Sequence, residues 1–434
     1  MTFHHVDEVP VSLAYGRVYE EGWQSWSPTT WYDVTATSCR PESQVRYQMR
    51  FRAGSGLPDR GFHAEGLLVV DPGTGAPARA YGAADAVNDV PSIRAKLEGD
   101  RLVITADGPV ETDQVPEGGT AALARFGDRF AAHAGTPAIT AAPSVWCTWY
   151  RYFSDTTEED ILENLAAIEH HDLPVDVIQI DDGWESGVGD WTPSSRFSAL
   201  PDLARRIRQT GRRAGIWLAP FMVAADTDLA RNHPDWLLGE AGYNWEQNLY
   251  GLDVTHPEAR DYLWSVFRRL REEGFDYFKL DFLYAGALPD QRYKDMSGVA
   301  AYRSGLELIR DAVGPESFLL GCGAPILPSV GLVDGMRVSS DTFHEDAQDP
   351  STHLRGEMAT IARAWQHGRF WINDPDCFVG RPSFALRKQW ASVIEQYGGL
   401  RSASDRIAEL DTWGLVATRR ILANVPATTP FPDS

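Results

Sequence analysis

The sequence is short of basic residues and of long apolar runs. It has 40 lysines and arginines against 61 aspartates and glutamates, which gives a formal charge of −21. A chain this acidic repels phosphate backbones and anionic lipids, so we expect neither nucleic acid nor a membrane surface as a partner. No run of 18 apolar residues occurs, and residues 1–7 lack the charged and apolar regions of a signal peptide.

Cysteines are also few. The chain has four (Cys39, Cys147, Cys322 and Cys377), which lie far apart and show none of the spacings of a metal site. Scattered thiols in a chain without an export signal predict reduced cysteines and a cytoplasmic location.

The pattern of apolar and polar residues differs between parts of the chain. Residues 1–120 hold short alternating runs, such as Val45–Phe51, and turn clusters, such as Asp71–Gly75, which predict a small antiparallel β domain. Residues 121–143 are predicted to form a helix, over Ala121–Ala132, followed by a linker rich in Pro, Ala and Thr.

Residues 144–434 alternate short apolar strands with amphipathic helices. One helix is predicted to begin with a capping box at Thr156 and Glu159, and another to run from Thr255 to Gly274. Eight strand–helix units in about 280 residues, without a glycine-rich phosphate loop after the first strand, predict a (β/α)8 TIM barrel rather than an open doubly wound sheet. The eight candidate strands are Val145–Trp149, Val175–Ile180, Ala214–Leu218, Tyr277–Leu280, Phe318–Gly321, Gly335–Val338, Phe370–Ile372 and Gly399–Ser402.

Carboxylates and aromatic rings follow these strands at their C-terminal ends, where TIM barrels carry their catalytic groups. Acids bind hydroxyls and move protons, while rings cover the apolar face of a sugar, so this combination predicts a carbohydrate site. The acids are Asp181, Asp182, Asp281, Asp341 and Asp374, and the rings are Trp146, Trp149, Tyr150, Trp184 and Trp217.

Lys279 and Asp281 are two residues apart on one predicted strand, so both side chains are expected on the same side. A nearby ammonium group would keep Asp281 ionised, as a nucleophile requires. The alternative interpretation is an ion pair that only fills the barrel.

Near the start, residues 21–31 read EGWQSWSPTTW, with three tryptophans among turn formers and no helical or strand period. Such rings either pack in a core or cover a sugar.

At these residues the sequence resembles the α-galactosidases of glycoside hydrolase family 36, particularly their compact bacterial members. The similar stretches follow the family's order and cover nearly the whole predicted barrel. They are WCTWYRYF (146–153), QIDDGW (179–184), GIWLAPF (215–221), YFKLDFLYAGA (277–287), LGCGAP (320–325), VDGMR (333–337) and FWINDPD (370–376).

The resemblance implies retaining hydrolysis of terminal α-D-galactosides by double displacement. Asp281 would be the nucleophile and Asp341 the general acid/base, which must begin the cycle protonated. A retaining pair is expected roughly 5–5.5 Å apart. The alternative for Asp341 is an aspartate that caps a loop. No metal and no other cofactor is expected.

The resemblance also implies a set of sugar-binding residues. Asp181 and Asp182 would accept hydrogen bonds from the 4- and 6-hydroxyls, whereas Lys279 and Arg337 would donate them. Trp217 would pack on the sugar. The remaining pocket would be formed by Trp149, Tyr150, Cys322 and, from the N-terminal domain, Trp26, with Trp23 and Trp31 anchoring the loop. For each ring an ordinary core role is the alternative, and for the two aspartates a turn with Gly183.

The sequence departs from the family in three places. Few residues precede the tryptophan segment, none remain after the eighth unit for a C-terminal β domain, and residues 339–346 differ around Asp341. Substrate preference is therefore left open, with α-N-acetylgalactosaminides or transglycosylation as alternatives. A non-catalytic carbohydrate-binding protein is an alternative of another class. A metal- or phosphate-dependent enzyme has one candidate group, at residues 344–346. A homo-oligomer also stays open.

Overall fold

The computed structural model describes residues 2–41, 47–342 and 351–432. The N-terminal part forms two antiparallel sheets. The sheet of four strands contains, in spatial order, His4–Pro10 (β1), Arg101–Ala106 (β8), Ser92–Glu98 (β7) and Phe62–Glu65 (β4). The sheet of five strands contains Thr30–Asp33 (β3), Arg17–Glu20 (β2), Leu67–Asp71 (β5), Ala78–Gly82 (β6) and Glu111–Val115 (β9).

Alternation along β5 explains how these sheets pack. Leu68 and Val70 point into a core between the two sheets, whereas Leu67 and Val69 belong to the large core shared with the barrel. Successive side chains of a strand face opposite sides, so a strand of four buried apolar residues serves two layers. In the predicted run Val45–Phe51, the described residues 47–51 form a helical turn rather than a strand, and residues 45–46 lie outside the described part.

The helix that links the two parts is Gly119–Ala134 (α1), two residues longer at each end than predicted. It ends at Gly135, which adopts a left-handed conformation (φ 65°) and donates its N–H to the last carbonyls. Residues 136–143 then run without helix or strand.

Eight parallel strands follow and form a nearly closed barrel. The first seven strands pair in chain order, and the first also pairs with the eighth. A single β-bridge joins Phe378, which follows the seventh strand, to Ala403 in the eighth strand. The strands are Ser144–Cys147 (β10), Val177–Ile180 (β11), Arg213–Leu218 (β14), Phe275–Leu280 (β18), Phe318–Gly321 (β19), Gly335–Arg337 (β20), Ile372–Asp374 (β21) and Arg401–Ala403 (β22).

The prediction of a TIM barrel preceded by a small antiparallel β domain is thus confirmed, while the limits 1–120, 121–143 and 144–434 stay predictions. Short antiparallel strands decorate the barrel mouth: Glu185–Gly187 (β12) with Asp190–Pro193 (β13), and Met222–Ala224 (β15) with Leu237–Asn244 (β16) and Gln247–Leu252 (β17).

The remaining helices surround the barrel or cap its loops. The α-helices are Trp149–Tyr152 (α2), Glu158–His170 (α3), Leu200–Gln209 (α4), Asp228–Asn232 (α5), Pro257–Glu272 (α6), Gly298–Val313 (α7), Ile326–Ser329 (α8), Ser351–Ala362 (α9), Arg387–Tyr397 (α10) and Thr412–Ala423 (α11). The 3-10 turns are Phe153–Asp155, Pro234–Trp236, Leu283–Ala287, Ala364–Gln366 and Ile407–Glu409.

Two further local predictions were wrong. The capping box of α3 is formed by Thr157 and Asp160, one residue later than expected. The seventh strand was expected at Phe370–Ile372 but lies at Ile372–Asp374, because Phe370 packs against Phe130 of α1, outside the barrel.

Candidate active site

Asp281 lies at the C-terminal end of β18 and is held by neutral donors. The indole Nε1 of Trp217, on the neighbouring strand β14, donates to its Oδ2 at 3.0 Å. The backbone N–H of Phe282 donates to its Oδ1 at 2.8 Å. Phe282 has φ 49°, a left-handed conformation that non-glycine residues adopt rarely and mainly at functional sites. The carboxylate is therefore fixed in orientation at the barrel mouth.

Lys279 lies on the same side of β18, but its direct partner differs from the one expected. Its Nζ bonds Oδ2 of Asp181 at 2.9 Å, and no described bond joins it to Asp281. The same oxygen accepts from Gln179 Nε2 at 2.6 Å and from the thiol of Cys147 at 3.3 Å. Burial lowers the pKa of Lys279, but the charges of Asp181 and Asp281 outweigh this effect and raise its pKa well above the usual value. Lys279 therefore stays protonated between the two acids.

Asp182 is buried beside this ion pair. Its Oδ2 accepts a hydrogen bond from the indole of Trp245 at 2.9 Å, and its side chain contacts that of Glu185. Burial, followed by the charges of Asp181 and Asp281, raises the pKa of Asp182 to about 6. We call the buried residues Asp181, Asp182, Glu185, Lys279 and Asp281 the lysine group.

Trp245 is a site residue that sequence reasoning missed. It lies at the tip of the hairpin formed by β16 and β17, where Trp245 and Glu246 have φ values of 47° and 59°. Two successive positive φ values are typical of a tight type I′ turn, which joins two strands through two residues. The signal available in the sequence was weak, because the turn contains neither Asn-Gly nor Asp-Gly. The ring packs 6.4 Å from Trp217 and 5.2 Å from Phe282.

A second group of acids surrounds Arg337, at the end of β20. The guanidinium bonds Asp341 at 2.9 Å, Asp374 at 3.4 Å and Asp376 at 2.6 Å. Burial raises the pKa of Asp374 and of Asp376, although the charge of Arg337 opposes the rise. Asp341 is the exception in exposure, with 28% of its side chain accessible. We call Arg337, Asp341, Asp374 and Asp376 the arginine group.

The other predicted pocket residues occupy three kinds of position. Tyr150 is buried and its hydroxyl donates to Asp376, so it supports the arginine group. Trp149 is half-buried and packs edge-on against Phe153, 5.1 Å away. Cys322 is buried in the loop after β19, where burial and the charge of Asp281 raise the pKa of its thiol, which keeps it neutral.

Trp26 reaches the barrel mouth from the N-terminal part. Its half-buried ring stands edge-on to Phe282 at 5.1 Å, and its backbone carbonyl accepts from Ser340 Oγ at 3.5 Å. Gly323 leaves room for the ring, because a Cβ there would lie 2.8 Å from it. The indole Nε1 is buried and has no hydrogen-bond partner among the described residues.

The rest of the tryptophan segment holds Trp26 in place. The backbone carbonyl of Trp23 accepts from Ile326 N at 2.9 Å, which ties the segment to the barrel loop after β19. Glu21 forms a fully buried ion pair with Arg363 at 2.8 Å. Trp31 packs on Tyr19 within the β domain, 5.5 Å away.

Among residues 2–41, 47–342 and 351–432, no group of three or more His, Cys, Asp or Glu side chains is arranged to hold a metal ion. None of their helices has the length and apolar character needed to cross a membrane. The group at residues 344–346 lies outside the described part.

Comparison with known proteins bears on this arrangement. Residues 135–303 match the family model Melibiase. The fold is similar to that of an α-galactosidase from Thermus thermophilus, solved in complex with p-nitrophenyl α-D-galactopyranoside. The TM-score is 0.81 and the identity 28%, over 97% of this chain and 89% of that one. Several of the curated relatives it matches are α-galactosidases. The predicted resemblance to family 36 is confirmed, and the comparisons indicate a glycoside hydrolase.

Two curated α-galactosidases are similar to this chain over short segments. An α-galactosidase from Escherichia coli is 36% identical over 121 residues, which cover 25% of this chain. A bifunctional α-galactosidase/sucrose kinase from Mediterraneibacter gnavus is 31% identical over 159 residues, or 32% of this chain. Each alignment spans 17% of the relative's own length.

Proposed function

We propose that this chain hydrolyses terminal α-D-galactosides with retention at C1, with Asp281 as the nucleophile and Asp341 as the general acid/base. The observation that carries the proposal is the meeting of two loops at Trp26. Phe282, directly after Asp281, packs on its ring, and Ser340, directly before Asp341, donates to its carbonyl. The two acids therefore flank one tryptophan at the barrel mouth.

In the first step, an oxygen of Asp281 attacks C1 and the bond from C1 to the leaving oxygen breaks. Asp341 gives its proton to that oxygen, and a covalent glycosyl-enzyme forms. The bonds from Trp217 Nε1 and the Phe282 N–H fix the direction of attack. Both donors are neutral, so the attacking carboxylate does not have to break an ion pair.

In the second step, Asp341 takes a proton from water, the water oxygen attacks C1, and Asp281 is released as a carboxylate. Two inversions at C1 give net retention. The aglycone leaves from the side of Asp341, which lines a small cavity with Thr342, Phe384 and Trp390. Rings beside the acid would accommodate the departing group.

The arginine group supports the proposed role of Asp341 as an acid. Its three carboxyl groups share one guanidinium, so uptake of a proton relieves surplus negative charge. Asp374 and Asp376 are buried, whereas Asp341 is partly accessible, so it is the member that we assign as the acid. In the proposal, Asp341 holds this proton when substrate binds.

Sugar recognition is assigned to the remaining groups. Asp181 and Asp182 accept hydrogen bonds from the 4- and 6-hydroxyls, and Lys279 donates to a ring hydroxyl while it stays paired with Asp181. Trp217 packs on the apolar face of the ring. The unpartnered, buried Nε1 of Trp26 is a donor available to the substrate, since leaving it without a partner is costly.

Arg337, Trp149, Tyr150 and Cys322 complete the proposed pocket. Arg337 orients Asp341, and Tyr150 supports the same group through its bond to Asp376. Cys322 carries a neutral thiol that faces the charge of Asp281.

The test is hydrolysis of aryl α-glycosides (galactoside, N-acetylgalactosaminide, glucoside and arabinoside), with the first anomer of the product read by NMR. We expect turnover of the galactoside with retention, and a loss of kcat/KM of about 10⁴-fold or more in Asp281→Asn. Asp276→Asn is the matched control, because Asp276 lies on the same strand but pairs with Arg213 at 3.0 Å.

If another sugar is turned over, the proposed mechanism stands and the proposed substrate is wrong. If the product has the inverted configuration at C1, Asp281 is not a nucleophile. If the folded protein binds galactose but turns over no member of the panel, the binding-protein alternative is correct.

A further inference from the structure

One buried carboxyl group beside the proposed sugar pocket has no part in the steps above. Glu185 begins β12, three residues after Asp182, and is 8% exposed. Its Oε2 accepts the N–H of Gly183 at 3.2 Å, and its side chain is in hydrogen-bonding contact with that of Asp182. Two ionised carboxylates are both acceptors and cannot bond one another, so the contact requires a proton on one of them.

The charges around the pair favour this proton. The lysine group contains four carboxyl groups, those of Asp181, Asp182, Asp281 and Glu185, and one cation, Lys279. The ammonium is bonded to Asp181 and so does not reach the Asp182–Glu185 pair directly. In a buried site, four negative charges against one positive charge are unfavourable, and binding of a proton removes one of them.

The neighbours of the pair decide which member holds the proton. Asp182 receives a hydrogen bond from the Trp245 indole at 2.9 Å, which stabilises it as an anion. Glu185 receives a backbone N–H from Gly183, and the nearby Arg196 bonds the carbonyl of Gly183 and pairs with an acid at the surface. Burial raises the pKa of Asp182 to about 6, while burial and the charge of Asp182 raise that of Glu185 well above its usual value.

We propose that Glu185 is a positioning residue that stays protonated at neutral pH and donates a hydrogen bond to Asp182, so that Asp182 remains a fixed acceptor for a sugar hydroxyl. The consequence for the sugar rests on the proposed function, whereas the protonation of Glu185 does not.

This arrangement gives sugar binding two limits in pH. Below about pH 6, Asp182 takes up a proton and loses the acceptor that holds the hydroxyl. At alkaline pH, Glu185 loses its proton, the two carboxylates repel one another, and Asp182 moves out of position. Affinity for the sugar is therefore highest between the two limits, and the alkaline limit belongs to Glu185.

Glu185→Gln tests this assignment, because the amide still donates to Asp182 and still accepts from Gly183 but cannot lose a proton in this range. We expect calorimetry with D-galactose to show the acid limit unchanged and the alkaline loss of affinity abolished. Glu185→Leu removes the donor and should weaken binding about tenfold at neutral pH, between the two limits. Ser186→Ala, at the exposed neighbouring position, is the control and should keep both limits.

A Glu185→Gln profile with the alkaline limit of the wild type would overturn the inference. Infrared spectroscopy of the sugar-free protein tests the proton itself: the wild type should show a protonated carboxyl band at neutral pH that Glu185→Gln lacks. Absence of that band overturns the inference even in an active α-galactosidase. If the band is present and no galactoside is bound or cleaved, Glu185 holds the proton and only the proposed function fails.

Discussion

Each of the two acid groups at the barrel mouth combines several carboxyl groups with one cation, but the two cations are bonded differently. In the lysine group, the ammonium of Lys279 makes one described ion pair, with Asp181, and the other acids are held by neutral donors. In the arginine group, the guanidinium of Arg337 bonds three acids at once. A compact ammonium acts as a point charge, whereas a planar guanidinium with five N–H donors can bridge several carboxylates.

The difference matches the proposed division of labour. Asp281 must leave its hydrogen bonds to attack carbon, and it is held by an indole and a backbone N–H rather than by a cation. In the proposal Asp341 must bind and release a proton, and it is the partly exposed member of a group with surplus acid. A nucleophile and an acid can thus be built from the same side chain, because the environment sets the role.

The largest expected difference between the two groups is in the effect of replacing Asp341. Asp341→Ala is expected to lower kcat/KM by roughly 10²–10⁴-fold for galactosides with a poor leaving group, such as an alkyl galactoside, since these need the proton most. The p-nitrophenyl galactoside should lose much less at the first step. Steady-state kinetics with both substrates measures the contrast.

Azide sharpens the same test. In Asp341→Ala, azide should replace the water that Asp341 would activate, and the product should be the α-galactosyl azide. In Asp281→Ala, azide should attack C1 directly and give the β anomer. Equal losses for both leaving groups, or the opposite anomers, would mean that the two roles have been assigned to the wrong groups.

The cations give the next largest effect. Arg337→Met leaves three acids without their common partner, two of them buried, and should cost about 3–5 kcal/mol in the free energy of unfolding. Lys279→Met should cost less, because Asp181 keeps the bonds from Gln179 and Cys147. Urea denaturation monitored by tryptophan fluorescence measures both.

Because burial already raises the pKa of Asp374 and Asp376, the loss in Arg337→Met should be smaller under mildly acidic conditions. These acids bind protons more readily in the folded state, so stability falls as the pH rises. A larger loss for Lys279→Met, or a loss independent of pH, would show that the two groups do not differ as described.

Much of this could be predicted from the sequence, because it depends on local periodicity. Alternating strands and helices with acids at strand ends predicted the barrel, and the position of Asp281 after β18 follows from that pattern. Boundaries were less predictable, since Phe370 is as apolar as a strand residue but packs on α1. Thr156 and Thr157 are both good caps, and the choice between them is made by contacts that no sequence pattern displays.

The pairing within the site could not be predicted, because it depends on three-dimensional contacts between distant segments. Spacing placed Lys279 beside Asp281, but its closest acid is Asp181, from another strand. Glu185 lies next to a recognised stretch yet contributes through its protonation rather than through its position in a motif. Trp245 reaches Asp182 across 63 residues, through a hairpin turn without the usual glycine.

Replacement of Trp245 is expected to have the smallest effect, and it tests one hydrogen bond of the lysine group. Trp245→Phe keeps a ring against Trp217 and Phe282 but removes the indole N–H that bonds Asp182. A hydrogen bond to a charged group contributes about 1.5–3 kcal/mol, so we expect KM for the galactoside to rise at least tenfold with kcat little changed. Trp264→Phe, at an exposed position of α6, is the matched control. An unchanged KM together with a lower kcat would mean that Trp245 acts on the arginine side of the pocket, and the separation of the two groups would fail.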